Sequence, residues 1–326
     1  MAQEQYHCIV SLAHFYDCFA FIQTNPLKLI NQWLPYKHFD YFQKGVAGCC
    51  VCDNNLFFVH GREAGKDIVC SHIIKDKDGL YDIDHVITAR NVGNNLHDLV
   101  CYGVYKDGGK MLLFAANTFD DEILVVQIDA KSNNITKGSL FSLGVKGIHD
   151  LHHLNSIHVY TPDRIYVTAA HKNDKDRKKE EGDVLMISKS QNENTMGKWL
   201  NLKNDQGKPY MFPHDYYHIG PHEYMINDSK NGDFVWHKDG KDRRIFLGGW
   251  SRGLCLLPDG SVLVGASFDR QYKLFEDNDH TAYQSTIFHI SKDMEIIDKL
   301  VLDKVNKLSA IYSIRRFNHE SINTPS

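Results

Sequence analysis

His149-Asp150-Leu151-His152-His153 and His214-Asp215-Tyr216-Tyr217-His218 share the frame His-Asp-x-x-His. A third copy, His97-Asp98-Leu99-Val100-Cys101, keeps His-Asp and has cysteine in the last position. Each copy opens a hydrophobic segment with the pattern of a β-strand. When one polar residue recurs at the same place in successive units, the units are expected to direct it toward a shared region. The sequence therefore predicts a repeat fold with a candidate site where the copies converge.

Beyond residue 45 the chain alternates short β-rich runs with turn signals such as Asp78-Gly79, Asp239-Gly240 and Asp259-Gly260. Strand pairs are predicted at residues 48–51 with 56–60, 99–104 with 111–115, 157–160 with 165–169, and 253–257 with 261–265. Third strands are expected at 68–74, 123–128, 184–188 and 286–290, whereas residues 27–33 have weak helical character. The pattern is that of an all-β protein.

The repeat spacing favours a β-propeller. The innermost strands are predicted to begin at Gly45, His97, His149, His214, Arg252 and Ile311. The gaps between them are 52, 52, 65, 38 and 59 residues, which scatter about the roughly 40–50 residues of a four-stranded blade. We expect six blades, or five if residues 6–44 lie outside the ring. An open β-sandwich explains the strands but not the repeated His-Asp.

The two ends of the chain are predicted to complete one blade. Too few residues follow Ile311 for four strands, and the apolar runs within residues 6–23 are available to close the ring. Residues 1–326 then form a single domain. Within it, residues 172–182 are expected to be a charged surface loop, and residues 318–326 a disordered tail. The 38-residue unit implies a blade with one strand fewer or with tight turns.

Composition excludes several functional classes. A formal charge of −4 gives no electrostatic footprint for nucleic acid. No apolar run reaches the roughly 18 residues of a membrane span, and the first residues lack a signal-peptide pattern. The eight cysteines are therefore expected to be reduced thiols in a cytoplasmic protein. Cys49, Cys50 and Cys52 should point to alternating strand faces and pack in the core.

Several short motifs resemble an uncharacterised family catalogued as domain of unknown function 4915. They are His149-Asp150, Phe212-Pro213-His214, Asn227-Asp228-Ser229-Lys230-Asn231-Gly232-Asp233, Ser251-Arg252-Gly253-Leu254, Val264-Gly265-Ala266-Ser267 with Arg270, and Ile311-Tyr312-Ser313-Ile314. The resemblance covers residues of about 149–314 and departs at Ser313, where the family has aspartate. It implies a β-propeller and brings no established reaction.

Three histidines are candidate metal ligands. His97, His149 and His214 occupy one slot on three predicted blades, so they are expected to converge on the propeller axis. Three imidazoles with an open position suit a divalent metal, Fe²⁺ or Zn²⁺ above all. In the alternative interpretation each imidazole is structural and bonds the backbone of a neighbouring blade.

Charged and aromatic residues near the same slot are candidates for catalysis and substrate binding. Asp98, Asp150 and Asp215 either orient a neighbouring histidine or accept backbone N–H groups between blades, and the second interpretation is favoured. Arg252, Asp150 and Asp215 are the candidate catalytic residues. Candidate substrate-binding residues are Arg252, Arg270, Tyr217 and Tyr312. Arg252 either clamps an anionic group or pairs with a motif aspartate, and the tyrosines either stack on a sugar or pack in the core.

Two functions follow from these residues. The first is a metal-dependent lyase, hydrolase or oxygenase that acts on a small or sugar-like anionic substrate, with its site on the propeller axis. The second is a non-catalytic propeller that binds a peptide, a glycan or a partner protein. No phosphate-binding glycine loop, dinucleotide fingerprint or serine-nucleophile turn is present in the sequence.

Overall fold

The computed structural model describes residues 4–13, 19–33, 46–52, 54–60, 66–105, 110–129, 132, 134–145, 147–161, 163–189, 195–267, 285–302 and 310–322. Three strands come first: β1 (His7–Ala13), β2 (Phe19–Gln23) and β3 (Lys28–Trp33). Blade 1 comprises β4 (Val46–Cys52), β5 (Asn55–His60), β6 (Asp67–Lys75) and β7 (Tyr81–Ala89). Blade 2 comprises β8 (Leu96–Tyr105), β9 (Lys110–Asn117), β10 (Glu122–Asp129) and β11 (Asn134–Ser142).

The second half of the chain continues the pattern. Blade 3 comprises β12 (Leu154–Thr161), β13 (Arg164–Ala169), β14 (Asp183–Lys189) and β15 (Thr195–Trp199), with α1 (Asp174–Lys179) between β13 and β14. Blade 4 comprises β16 (His214–Gly220), β17 (Glu223–Asp228), β18 (Asp233–Lys238) and β19 (Lys241–Phe246). Blade 5 comprises β20 (Trp250–Leu256), β21 (Val262–Ser267), β22 (Thr286–Ile290) and β23 (Ile296–Val301), and β24 (Ala310–Phe317) follows. Single-turn 3₁₀ segments lie at Ser229–Asn231 and His319–Ser321.

The described strands form six four-stranded antiparallel sheets, which confirms the predicted six-bladed propeller. The strands β4, β8, β12, β16, β20 and β24 contact one another in succession and surround the axis. Blade 6 is built from both ends of the chain in the order β24-β1-β2-β3. Val10 lies opposite Ile314 and Ser11 opposite Ser313. This pairing confirms closure by the N-terminal strands, which leaves no free edge beside β24.

Among the described residues, six clusters of buried apolar side chains hold the propeller together, one between each pair of neighbouring blades. Successive side chains of an innermost strand point to opposite faces of its sheet, so each strand contributes to two clusters. In β4, for example, Cys49 packs toward blade 6 and Cys50 packs toward blade 2. The cysteines therefore serve as core residues, as predicted. In the part of the chain that the structure describes, no helix is long and apolar enough to cross a membrane.

Four features differ from the sequence predictions or refine them. Residues 27–33 contain strand β3 rather than a helix, because pairing with β2 overrides a weak local preference. The 172–182 segment contains α1, which Asn173 caps. The predicted disordered tail is ordered at residues 318–322, where Ile322 packs against blade 6. Blade 4 is short because its turns are tight, and it has all four strands.

Candidate functional site

The innermost strands carry β-bulges close to where they begin. The pairing register shifts between Leu96 and Leu99 in β8 and between His214 and Tyr217 in β16. In β20 it shifts between Arg252 and Leu254. A bulge re-aims side chains and is common beside functional sites. In this propeller the bulges turn the motif residues toward the axis and toward the next blade.

The motif aspartates Asp98 and Asp215 join neighbouring blades. Asp98 Oδ2 accepts a hydrogen bond from Ile157 N of blade 3 at 3.0 Å, and Asp215 Oδ2 accepts one from Gly253 N of blade 5 at 2.8 Å. Both carboxylates therefore satisfy the backbone N–H groups that a bulge would otherwise leave unpaired. These are the hydrogen bonds that the structural interpretation of the two aspartates expects, and they join Asp98 to blade 3 and Asp215 to blade 5.

Asp98 also holds a partly buried arginine, Arg315 of β24, whose side chain is 21% exposed. Arg315 Nη2 donates to Asp98 Oδ1 at 3.1 Å, and Arg315 Nε donates to Cys49 O at 3.0 Å. Burial raises the pKa of Asp98 to about 6, although Arg315 acts in the opposite direction. The close approach depends on Gly48, because a Cβ there would lie 2.4 Å from Asp98 Cα. Blade 1 thus contributes a residue without a side chain where its backbone approaches that of blade 2.

Six side chains form a closed series of contacts near the starts of the innermost strands, and we refer to them as the channel-mouth ring. The members of the ring are His97, His153, Phe212, His214, Arg252 and Tyr312. They come from blades 2, 4, 5 and 6 and from the segments that lead into blades 3 and 4. Side chains from blades that are not adjacent can touch in this way only close to the axis.

The ring contacts are mostly between aromatic faces and edges. The His97 ring centre lies 4.9 Å from that of His153 and 5.8 Å from that of Tyr312, both edge to face. The Phe212 ring centre lies 5.5 Å from that of His153 and 5.6 Å from that of His214, on which it stacks. The Arg252 guanidinium carbon lies 4.1 Å from the centre of the Tyr312 ring, a cation–π contact.

His214 is held as a neutral imidazole with its proton on Nδ1. Phe212 O accepts from Nδ1 at 3.1 Å, and Ser229 Oγ, whose own proton goes to Ser251 O, accepts from it at 2.8 Å. The Nε2 lone pair therefore accepts from Arg252 Nη2 at 2.5 Å. Burial lowers the pKa of His214 well below its ordinary value, and the Arg252 charge lowers it further.

Arg252 is buried with most of its donors unused. The residue is 7% exposed, and its Nε is fully buried without a hydrogen-bond partner. Of its five N–H donors, the described residues accept from Nη2 alone. No described carboxylate forms a salt bridge with it. The predicted alternative of a salt bridge to a motif aspartate is therefore not found among these residues.

His153 and Asp150 form a hydrogen-bonded pair at the edge of the ring. His153 Nδ1 lies 2.8 Å from Asp150 Oδ1, and the two side chains are 23% and 30% exposed. Asp150 has φ 56°, His153 has φ 52°, and the neighbouring ring residue Phe212 has φ 48°. Non-glycine residues in the left-handed region cost about 1–3 kcal/mol each and cluster at functional sites. The backbone is thus strained where these side chains meet.

His149 does not join His97 and His214, and its predicted position at the start of an innermost strand was wrong. Strand β12 begins at Leu154, five residues later, and Asn155 occupies the place that His97 holds in blade 2. The His149 side chain is 51% exposed, stacks on Phe119 at 4.4 Å and lies 3.7 Å from Asp120 Oδ1. Among the described residues, no group of three His, Cys, Asp or Glu side chains is arranged to hold a metal.

The other predicted residues divide between the ring and the rest of the channel. Tyr312 is a ring member, whereas Tyr217 packs on His158 at 4.1 Å, farther along the channel. Of these two tyrosines, Tyr312 is the one that contacts Arg252. A cavity of about 220 Å³ lies beside Tyr217 and is lined by all six innermost strands. Arg270 lies outside the described residues.

Comparisons with known proteins support the fold alone. No protein-family model matches the sequence, and no curated protein matches it. A solved structure of a protein of unknown function from Bacteroides caccae is similar, with a TM-score of 0.60 and 12% identity, over 97% of this chain and 100% of that chain. Regucalcin from Agrobacterium tumefaciens, described as a calcium-binding protein, matches with a TM-score of 0.44 and 10% identity, over 78% of this chain and 73% of that chain. At a sequence identity of 12%, the likeness to the Bacteroides caccae protein supports the propeller fold and says nothing about activity.

Proposed function

We propose that the protein binds a small anionic molecule in the channel-mouth ring and that Arg252 holds its negative charge. The observation that carries the proposal is an arginine that is 7% exposed, has a fully buried Nε and has no described carboxylate partner. A buried charge without a counter-ion is costly, so its retention on the axis is explained by a ligand that supplies the opposite charge.

The neighbours of Arg252 reinforce this binding role. His214 is neutral and uses its lone pair on Arg252 Nη2, so it orients the guanidinium without cancelling its charge. Tyr312 covers one face of the guanidinium, which leaves its edges for an oxyanion. Planar carboxylate and tetrahedral phosphate groups both suit such an edge. The chemistry that we propose is therefore an oxyanion on a small molecule.

A metal is not needed for this function. The three-histidine hypothesis requires His97, His149 and His214 to converge, yet His149 lies outside the ring. The Nε2 of His214 is already used by Arg252. A divalent-metal enzyme remains a prediction from the sequence, and treatment with a chelator separates it from anion binding through Arg252.

Isothermal titration calorimetry tests the proposal, with inorganic phosphate, sulfate, acetate and pyruvate as separate ligands. We expect at least one of them to bind with a Kd of about 10 µM to 1 mM, before and after treatment with a chelator. Arg252→Met should weaken that binding at least about 10-fold, because the charge-assisted hydrogen bonds are lost. Arg243→Met removes an exposed arginine of β19 and should leave the affinity unchanged.

The ligand panel also identifies the kind of oxyanion. Tighter binding of phosphate and sulfate would indicate a tetrahedral group, and tighter binding of acetate and pyruvate a carboxylate. Equal affinity in the wild-type protein and in Arg252→Met, for every ligand that binds, would contradict the proposal.

A further inference from the structure

We infer that Asp150 and His153 act as a general-base pair that removes a carbon-bound proton from a small 2-keto carboxylate held by Arg252. This inference rests on the proposed binding function and adds a reaction to it. It joins three observations: an oriented imidazole, a buried guanidinium without a carboxylate, and a closed ring of contacts that contains both.

The hydrogen bond to Asp150 fixes which nitrogen of His153 is basic. A carboxylate only accepts hydrogen bonds, so the 2.8 Å contact places the proton of His153 on Nδ1. The lone pair then lies on Nε2, which forms no hydrogen bond with a described residue. An imidazole held in one tautomer by a carboxylate, with its other nitrogen available, has the arrangement of a general base.

The backbone holds this pair in a conformation that an ordinary surface ion pair does not require. Asp150 and His153 both have positive φ, 56° and 52°. Asp150 N donates to Phe119 O at 2.9 Å, and Arg177 Nη1 donates to Asp150 O at 3.4 Å. These bonds fix the segment that carries the carboxylate. An exposed pair contributes at most about 1 kcal/mol to stability, which does not account for two strained residues.

The pair lies at the accessible side of the ring, and Arg252 lies at its buried side. His153 contacts His97 and Phe212, each of which contacts a neighbour of Arg252. His153 is near enough to His214 to contribute to the lowered pKa of that residue, after burial and Arg252. The inference requires that a molecule enter past His153, whose side chain is 23% exposed, and extend its charge to the buried Arg252, with its middle beside Nε2.

The single cation of the ring selects the class of substrate. Removal of a proton from the carbon next to a keto group leaves the electron pair of the broken C–H bond shared with the keto oxygen. In a 2-keto carboxylate this oxygen is adjacent to the carboxylate, so one planar guanidinium can contact both oxygens. His153 Nε2 takes the proton and becomes an imidazolium that Asp150 stabilises. The Nε2 proton is replaced by one from solvent water, and return of this proton from Nε2 to carbon completes an exchange that needs no reactant besides water.

Solvent deuterium exchange tests this step. The full-length protein is incubated in D₂O with pyruvate, 2-oxobutyrate or 2-oxoglutarate, and loss of the C3 proton signal is followed by ¹H NMR. We expect exchange of at least one substrate at least about 10-fold above the rate without protein. His153→Gln should remove about 99% or more of the added rate, since general bases typically contribute about 10²–10⁴-fold. The affinity for the same substrate should change less than about 3-fold.

Two further variants separate catalysis from structure. Asp150→Asn keeps the shape of the side chain but not its charge, and we expect it to lower the exchange rate about 10-fold at saturating substrate with little change in affinity. His149→Gln alters an exposed histidine of the same segment, outside the ring, and should leave the rate unchanged. Exchange that persists in His153→Gln would overturn the inference.

The two experiments distinguish failure of the binding proposal from failure of the general-base inference. If a 2-keto carboxylate binds through Arg252 but no C3 proton exchanges, the general-base inference is wrong and the binding function stands. If phosphate or sulfate binds and no 2-keto carboxylate does, the substrate class is wrong. If nothing binds in an Arg252-dependent manner, the proposed function fails as well.

Discussion

Two arginines of innermost strands, Arg315 and Arg252, differ in what compensates their charge. The side chain of Arg315 is 21% exposed, whereas Arg252 is buried. Arg315 donates to the Asp98 carboxylate and to two backbone carbonyl oxygens, those of Cys49 and Ile314. Arg252 contacts a neutral imidazole and a tyrosine ring, and its Nε has no partner. The first arginine is part of the joint between blades 2 and 6. The second holds a charge that the described residues do not neutralise.

The difference shows that equivalent innermost strands can supply residues that join the blades and residues that are available to bind a ligand. At the Arg315 position Nε and Nη2 donate to acceptors from neighbouring blades, Cys49 O and Asp98, so the charge stabilises the closed propeller. At the Arg252 position, Gly253 N and the Asp215 carboxylate make the hydrogen bond that joins blades 5 and 4. The Arg252 side chain takes no part in that bond. A buried group that the architecture does not need is the better candidate for binding a ligand.

Loss of the Arg315 partner should have the largest effect. Asp98→Ala leaves the partly buried Arg315 guanidinium without this carboxylate and Ile157 N without this acceptor. We expect the free energy of unfolding to fall by about 3–5 kcal/mol. Urea denaturation followed by circular dichroism measures it, with the exposed Asp205→Ala as control. A loss below about 1 kcal/mol would show that Arg315 is not compensated in the way described.

Acidification should change the stability contribution of Asp98 and that of the buried histidines in opposite directions. The pKa of Asp98 is raised to about 6 by burial, so the folded protein binds that proton first, and this contribution to stability grows as the pH falls through 6. Burial lowers the pKa of His158 and of His171 to about 4 and lowers that of His214 well below its ordinary value. The unfolded chain therefore takes up these protons first, below about pH 6.5, which reduces stability.

Burial also raises the pKa of other described aspartates and lowers that of other described histidines. The ordinary pKa of histidine lies within this pH range and that of aspartate lies below it, so the histidines dominate and the net effect is a loss. We expect the free energy of unfolding to fall by about 2–4 kcal/mol between pH 7 and pH 5. Denaturation curves at half-unit pH intervals test this. In Asp98→Asn the opposing contribution is absent, so its acid-induced loss should be steeper than that of the wild-type protein. A stability that rises toward pH 5 would contradict the neutral state of the buried histidines.

The close approach of blades 1 and 2 gives a smaller and more local effect. In Gly48→Ala the new Cβ would lie 2.4 Å from Asp98 Cα and 2.5 Å from His97 O, which are backbone atoms. Because the backbone must shift, we expect a loss of about 1–3 kcal/mol in the free energy of unfolding. Gly138→Ala in β11, where a Cβ meets nothing within 4 Å, should be neutral or slightly stabilising. Equal effects of the two substitutions would exclude a specific role for Gly48.

Removal of the uncompensated arginine should have the smallest effect on stability. Arg252→Met takes away a buried charge and keeps most of the apolar volume. We expect the free energy of unfolding, measured without added anion, to change by less than about 1 kcal/mol or to increase. A loss as large as that of Asp98→Ala would mean that Arg252 is structural.

Much of the fold was predictable because propeller blades repeat locally. The strand pairs at residues 48–60 and 253–265 follow from alternation and turn residues, and closure by residues 6–23 follows from the shortage of chain after Ile311. The segment at residues 27–33 was assigned wrongly because its strand depends on pairing with β2, a non-local effect that weak helical propensity does not reveal.

The site was predicted in part. His97, His214, Arg252 and Tyr312 come together as the shared slot implied, since each lies in an innermost strand. His149 does not, because a loop of several residues separates it from β12 and the His-Asp frame there is not in register. The same loop folds back so that Asp150 meets His153, an i,i+3 pairing that strand alternation did not suggest. Phe212 was missed because its ring position depends on a positive φ.

A crystal structure of the protein grown with pyruvate tests the central claim most directly. The account predicts density for the ligand inside the channel-mouth ring, with carboxylate oxygens within about 3.2 Å of Arg252 nitrogens and the methyl carbon beside His153 Nε2. Arg315 should keep its bonds to Asp98 and have no contact with the ligand. Pyruvate bound elsewhere, with the ring unchanged and Arg252 paired to a protein carboxylate, would contradict the account.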